Sequence, residues 1–340
     1  MRFLTSTSAT TTLLTSLLLT PAVSSPLSST PAKSKTIFQF PNPTWIENIS
    51  ATRNGSLLVS LIGAPELHLV HPSTSPPTAS LVHRFPGADS LLGITEYAPD
   101  VFAVITSNYS LTTGATIGSS SVWSVDLTPC TTATRKAGAG PLVRKIADLP
   151  TAQVLNGAAA LNPHTVLLAD SFAGTVVALD VRTGSYATAL DDESLKPTGT
   201  GPVIIGVNGL KVRDGYLYYT NTLHGTFSRV KVHPVTGKAV GPFTQIAAFA
   251  VPDDFAFARD GTAYVARPLA NEVVAVKGSA GVVRTVVGNL NSSAVAGVTS
   301  VTVGRGKGDA GVVYVGTNGG LSGPVNGTFT EGGKVVGIWV

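Results

Sequence analysis

Charge is scarce in this chain. Only 12% of its 340 residues are charged and the net charge is +4. No run of Lys or Arg occurs, so the electrostatic footprint of a nucleic-acid binder is missing. Cysteine occurs once, as Cys130. No intrachain disulfide can form, and the fold must rest on its own core. Cys130 lies in the polar stretch TPCTTAT with no base beside it, and it carries no catalytic assignment. Long apolar runs are also absent. The stretch Leu13–Leu19 is too short to span a bilayer, so no membrane span is expected. Neither His-Glu-x-x-His nor Gly-x-Ser-x-Gly is present. The six histidines are dispersed. His68 and His71 stand three apart on a strand and its loop, so they face different ways.

What is abundant fits short strands and tight turns. Glycine (36) and proline (22) break up a chain that is 43% hydrophobic, which supplies a core but argues against long helices. The N-terminus has Arg2, the apolar stretch Leu13–Leu19 and the small-x-small triplet Ala22-Val23-Ser24. This reads as a signal peptide over residues 1–24 and predicts a protein of the secretory pathway. Five sequons, at Asn48, Asn54, Asn108, Asn291 and Asn326, are candidate glycosylation sites consistent with that route.

The chain repeats itself. "VNGLKVRDGYLYYTN" (207–221) returns as "PDDFAFARDGTAYVA" (252–266). Four further copies align on the same aromatic or aliphatic strand, beginning near residues 46, 91, 155 and 296. Each unit holds a small polar cluster, an apolar strand, a turn such as Asn54-Gly55, Asp214-Gly215 or Asp260-Gly261, and two more alternating strands. Six such units over 25–340 predict an all-β, six-bladed β-propeller in one domain. A sandwich would give the units no reason to resemble one another, whereas a blade needs like neighbours to bury its faces. The lone strand at 35–41, "KTIFQFP", is expected to join "KVVGIWV" at the C-terminus as the outer strand of the last blade and so close the ring. Tyr218 and Tyr219 alternate on their strand and read as core packing.

In a propeller the first strand of each blade lines the central channel. The residues at its entrance are Glu47 with Asn48, Asn156, Asn208, and Asp253 with Asp254; units two and six offer Gly93 and Gly297. Converging carboxylate and amide oxygens suit a hard cation such as Ca²⁺, while each residue alone is also an ordinary turn former. His224 follows the aromatic strand of the fourth unit and is a candidate acid/base and substrate contact near the mouth.

These stretches, "PTWIEN", "VNGL" and "VPDDFAFARDGTAYVA", resemble the gluconolactonase/regucalcin-like six-bladed propellers, over about residues 40–340. The resemblance implies divalent-metal ligands at Glu47, Asn208 and Asp253, with Asn156 beside them, and a base at Asp253. The family's Pro-Asp-Gly is Pro-Asp-Asp here, and counting back from Asp214-Gly215 and Asp260-Gly261 sets Asp254 opposite Asn208. The choice between Asp253 and Asp254 stays open on sequence. The chain is also similar to a fungal secreted subgroup that includes hetero-Diels–Alderases of tropolone–sesquiterpene biosynthesis. Three functions follow. The first is a cofactor-free pericyclase coupling an o-quinone methide to a terpene alkene, with Asp253, Asp254 and Asn208 as catalytic and Glu47, Asn156 and His224 as substrate-binding candidates. The second is a lactonase that uses Ca²⁺ or another divalent cation. The third is a non-catalytic binding propeller. A small, largely apolar substrate is the expected partner of either enzyme.

Overall fold

The computed structural model describes residues 31–110, 114–128, 140–199, 204–278 and 281–340. The expected signal peptide and Cys130 lie outside the described residues. The first strand, β1 (Lys33–Gln39), waits for the last blade. Blade 1 is β2 (Trp45–Ala51), β3 (Leu57–Ile62), β4 (Glu66–His71) and β5 (Thr78–Arg84). Blade 2 is β6 (Ser90–Ala98) and β7 (Val101–Ser107), a small extra hairpin of β8 (Tyr109–Ser110) and β9 (Gly114–Ala115), then β10 (Ser121–Asp126) and β11 (Leu142–Asp148). Blade 3 is β12 (Leu155–Asn162), β13 (Thr165–Asp170), β14 (Thr175–Asp180) and β15 (Tyr186–Asp191). Blade 4 is β16 (Val207–Arg213), β17 (Tyr216–Asn221), β18 (Thr226–Lys231) and β19 (Thr244–Ala248). Blade 5 is β20 (Phe255–Phe257), β21 (Ala263–Arg267), β22 (Glu272–Lys277) and β23 (Val282–Gly288). Blade 6 is β24 (Val298–Val303), β25 (Val312–Thr317) and β26 (Lys334–Trp339), completed by β1.

Every blade is an antiparallel meander, as the turns dictate. Asp214 and Gly215 both take left-handed φ values, 51° and 77°. They join Arg213 to its cross-strand partner Tyr216. That is the two-residue turn whose twist matches paired strands. Between blades the packing is apolar. Leu167, Ala169 and Val176 of blade 3 lie against Val207, Leu210 and Leu217 of blade 4. Each fully buried Leu or Val stabilises by roughly 1.5–3 kcal/mol, so one blade supplies the wall another needs.

The ring closes as the sequence predicts. Strand β1 pairs with β26 from Lys33↔Trp339 to Gln39↔Lys334. Lys334, buried, donates from Nζ to the Ser293 carbonyl (2.8 Å) and to Glu331 Oε1 (2.6 Å), while Gln39 Nε2 donates to Glu331 Oε2 (2.8 Å). Polar bonds from both chain ends therefore meet beside the closing strand. Among the described residues no helix is long and apolar enough to cross a membrane.

Candidate functional site

The inner strands β2, β6, β12, β16, β20 and β24 follow one another around the axis and back to β2. All six share one irregularity. At the entrance of each, two residues oppose a single residue of the second strand. The pairs are Glu47-Asn48, Leu92-Gly93, Asn156-Gly157, Asn208-Gly209, Asp253-Asp254 and Thr299-Ser300. Such bulges re-aim side chains and recur beside active sites. Here they form one ring at one mouth of the channel.

Two sequence expectations are corrected by this register. Blades 2 and 6 do not offer Gly93 and Gly297 at the position of Asn208. They offer Leu92 and Thr299, and Thr299 Oγ1 donates to the carbonyls of Ile46 (2.8 Å) and Gly316 (3.2 Å). Counting from the Asp-Gly turns also misplaces blade 5. Its first hairpin leaves five residues, 258–262, between Phe257 and Ala263, against two in blade 4. Strand pairing therefore matches Asp253 with Asn208 and Asp254 with Gly209.

The glycines explain how adjacent blades approach. A Cβ at Gly93 would lie 2.3 Å from the Asn156 carbonyl oxygen, and one at Gly157 would lie 2.1 Å from that of Asn208. A Cβ at Gly209 would lie 2.6 Å from Asp254 Oδ1. The inner strands of blades 2 to 5 touch backbone to backbone because this column lacks side chains, and the last glycine opens the space that Asp254 fills.

Asp254 is only 3% exposed. Its Oδ1 accepts from Lys211 Nζ at 2.7 Å and its Oδ2 from Asn48 Nδ2 at 3.2 Å. Lys211 also sits over the Phe255 ring at 5.4 Å. Asp253, half-buried, accepts at Oδ1 from Asn208 Nδ2 (2.8 Å), and the same amide reaches Thr222 Oγ1 (3.0 Å). Glu47, 8% exposed, accepts at Oε2 from the Trp45 indole (2.8 Å). Among the described residues the one ion pair of these three carboxylates is that of Asp254 with Lys211. The electrostatics follow. Burial, opposed by the Trp45 bond and aided by the Asp254 charge, pushes Glu47 up to about 7. Burial and the charges of Glu47 and Asp254 raise Asp253 well above the usual carboxylate range, against the Asn208 bond. Protonated groups of this kind are hydrogen-bond donors in a poorly solvated pit.

The structure thus brings together Glu47, Asn208, Asp253 and Asp254. Asn156 occupies the same ring position on blade 3, 7% exposed, with no side-chain hydrogen bond among the described residues. His224 is exposed in the loop after β17; its backbone N–H donates to Asn221 Oδ1, and no described side-chain bond links it to the cluster. Asn48 belongs to the channel: at 4% exposure and bonded to Asp254, its amide is unavailable to a glycan in the folded chain. Asn54, Asn291 and Asn326 are exposed and Asn108 is half-buried. Lys211 and Trp45 escaped sequence reasoning, since a Lys or Trp on an alternating strand carries no signal of its own.

A divalent cation would find a suitable donor set. Glu47, Asp253 and Asn208 each keep one oxygen that no described donor occupies, and Asn156 keeps its amide oxygen. Among the described residues no group of three or more His, Cys, Asp or Glu is arranged for a metal. A cation here would therefore rest on two carboxylates and two amide oxygens, in keeping with hard-ion chemistry.

Fold and site together define a six-bladed β-propeller with an acidic, amide-lined mouth. No family model matches the chain. It is similar to two fungal proteins described as candidate hetero-Diels-Alderases. One, from Phoma sp, is 28% identical over 318 residues, spanning 83% of this chain and 86% of the relative. The other, asR5 from Sarocladium schorii, is 28% identical over 318 residues, spanning 83% and 77%. Among solved structures a luciferin-regenerating enzyme superposes with a TM-score of 0.64 at 14% identity, over 91% of this chain and 95% of that one. A calcium-binding regucalcin from Agrobacterium tumefaciens gives 0.58 at 14% identity, over 91% and 94%. These two share the fold.

Proposed function

We propose that this protein is a hetero-Diels–Alderase-like pericyclase. It couples an o-quinone methide, derived from a tropolone or phenol, to the alkene of a humulene-type terpene. The observation that carries this reading is the 28% identity to two candidate hetero-Diels-Alderases across 83% of the chain. The mouth supports it. The cycloaddition joins the C=C–C=O unit of the quinone methide to the alkene, forming one C–C and one C–O bond and a dihydropyran. No group leaves and no proton need move. What helps is a donor on the carbonyl oxygen as charge builds there, and a fixed approach of the two partners, which can contribute several kcal/mol. Glu47, pushed up to about 7, is such a donor in its protonated form, and Asp253, raised well above the usual carboxylate range, is another where it holds its proton. Asn208 and Trp45 orient their carboxyl groups, and the Lys211–Asp254–Asn48 contacts hold the neighbouring carboxylate in place.

The test supplies a quinone-methide precursor with a humulene-type alkene and, separately, an aldonolactone. Adduct of one handedness supports the reading; racemic adduct at the uncatalysed rate overturns it. Asp253→Asn keeps a donor amide at that position, so a pericyclase should retain product formation within about tenfold, the scale of one hydrogen bond.

The amide of Asn156, without a side-chain hydrogen bond among the described residues, favours one second reading, a divalent-metal lactonase. A cation held by Glu47, Asn156, Asn208 and Asp253 would polarise a lactone carbonyl when bound. Asp253 would then be the base, and Asp253→Asn should cost about 10²–10⁴-fold. Lactone opening abolished by a chelator and restored by Ca²⁺, with no adduct, selects it.

A further inference from the structure

Blade 2 differs from the others where the mouth is built. Its bulge pair is Leu92-Gly93, so it sends no polar side chain into the ring. It also carries the extra two-stranded sheet β8–β9, inserted between β7 and β10 at the mouth end. Tyr109 opens that hairpin. Its backbone is fixed on both sides: the N–H donates to Asp89 Oδ1 at 2.7 Å, and the carbonyl accepts from Ser90 Oγ at 2.5 Å. Ser90 Oγ is itself held by the Gly63 N–H at 3.0 Å. The preceding residue is fixed as well, because the Asn108 N–H donates to Ser119 Oγ at 3.0 Å and its carbonyl accepts from the Thr116 N–H at 2.8 Å. All this anchoring is spent on the backbone. The Tyr109 hydroxyl makes no hydrogen bond among the described residues, and the ring is half-buried.

We propose that Tyr109 is a substrate-contacting residue, which replaces the polar group missing from blade 2 and donates its hydroxyl to a neutral carbonyl oxygen held over Glu47 and Asp253. The supporting electrostatics agree. Burial, and then the charges of Glu47 and Asp253, raise the tyrosine hydroxyl above its ordinary range, which keeps it a donor. A ring clamped at its backbone and free at its tip can lie along a flat conjugated ligand at small cost in side-chain entropy. A hydroxyl donor carried on a flat aromatic ring at the mouth suits a planar conjugated carbonyl compound. This rests on the pericyclase reading, in which that oxygen belongs to the heterodiene.

The experiment needs no turnover. Wild type and Tyr109→Phe are titrated with tropone and with its carbonyl-free analogue cycloheptatriene, following tryptophan fluorescence and, as a second readout, the ligand's own NMR line width. The hydroxyl has no partner among the described residues, so the phenylalanine variant should fold normally, which a melting curve checks. Tyr109→Phe should weaken tropone about 3- to 10-fold, the scale of one neutral hydrogen bond, and leave cycloheptatriene unchanged. Equal tropone affinity in both proteins overturns the proposal, as does no tropone binding by wild type. A loss shared by both ligands overturns it too, because it would show packing without donation. If tropone binding behaves as expected but no stereocontrolled adduct forms with the full substrate pair, the pericyclase reading fails and the Tyr109 contact stands.

Discussion

Blades 4 and 5 are built from the same plan and differ at one step where they enter the channel. Blade 4 enters the channel with Asn208-Gly209, blade 5 with Asp253-Asp254. The second residue of each pair fills the same place in the strand register, and the two are complementary. Gly209 has no side chain, and an Asp254 carboxylate oxygen lies only 2.6 Å from where its Cβ would be. The lysine that meets this carboxylate comes from blade 4, two residues beyond the glycine. A repeat therefore becomes a site by breaking its symmetry at one column. One blade withdraws its side chain and offers a cation further along, and its neighbour moves a carboxylate into the space.

The largest disturbance of that arrangement is to make blade 5 copy blade 4. Asp254→Gly leaves Lys211, 28% exposed at its side chain, without its partner, and leaves the Asn48 amide unanswered. Removing one member of a buried pair typically costs about 3–5 kcal/mol, and the part exposure of Lys211 argues for the lower end, about 3 kcal/mol. Urea denaturation measures it. The double variant Lys211→Met/Asp254→Gly should recover part of the loss, since no stranded ammonium remains. Equal stability of Asp254→Gly and wild type would show that the pair contributes nothing.

A smaller effect is expected from giving blade 4 a side chain. Gly209→Ala brings a methyl group to 2.6 Å from Asp254 Oδ1 and 2.8 Å from its Cα. Overpacking of this kind costs roughly 1–3 kcal/mol and displaces the carboxylate. Gly157→Ala should sit at the upper end of that range, because the atom it meets, the Asn208 carbonyl oxygen at 2.1 Å, is backbone. Gly140, with no described neighbour within 4 Å and no left-handed φ, is the control. Gly140→Ala should change stability by less than about 0.5 kcal/mol. A melting series that fails to separate the three glycines would remove close blade approach as the reason for the column.

The same comparison shows what a sequence can carry. The repeat, the Asp-Gly turns and the closing strand are local patterns, and all appear in the structure where the sequence put them. The mouth residues of blades 1, 3 and 4 were also legible, because equivalent strand positions in successive blades converge on one axis; those of blades 2 and 6 were not, since Leu92 and Thr299 stand where Gly93 and Gly297 were expected. The Asp253/Asp254 register was not, since it depends on a hairpin loop of five residues rather than two, and both hold an Asp-Gly. The bond from Asn48 to Asp254 spans 206 residues, and no local pattern announces it. Lys211 looks like the polar half of an alternating strand. Tyr109 was hidden because it arrives on an inserted hairpin outside the repeat.

The last contrast lies in pH, and it distinguishes the carboxylates with no ion pair among the described residues from Asp254, which has Lys211. Glu47 is pushed up to about 7 from an ordinary value of 4.5, so between those two pH values the folded protein holds a proton that the unfolded chain has lost. Stability therefore falls as pH rises from about 4.5 to about 7, because the state that binds more protons is favoured at low pH. Asp253, raised for the same reasons, adds to the fall with the same sign. Urea midpoints measured across this window should decline in wild type, and Glu47→Gln should flatten part of the slope. Product formation should follow the same titration, falling as pH rises through about 7, because the donor form of Glu47 is lost. A Glu47→Gln profile that overlays wild type in both measurements would mean that Glu47 is already ionised across this range, and the carboxyl groups would then have to be compensated by something other than a proton. Saturating Ca²⁺ identifies that case directly: it should raise the wild-type midpoint above pH 7 and leave Glu47→Gln less responsive.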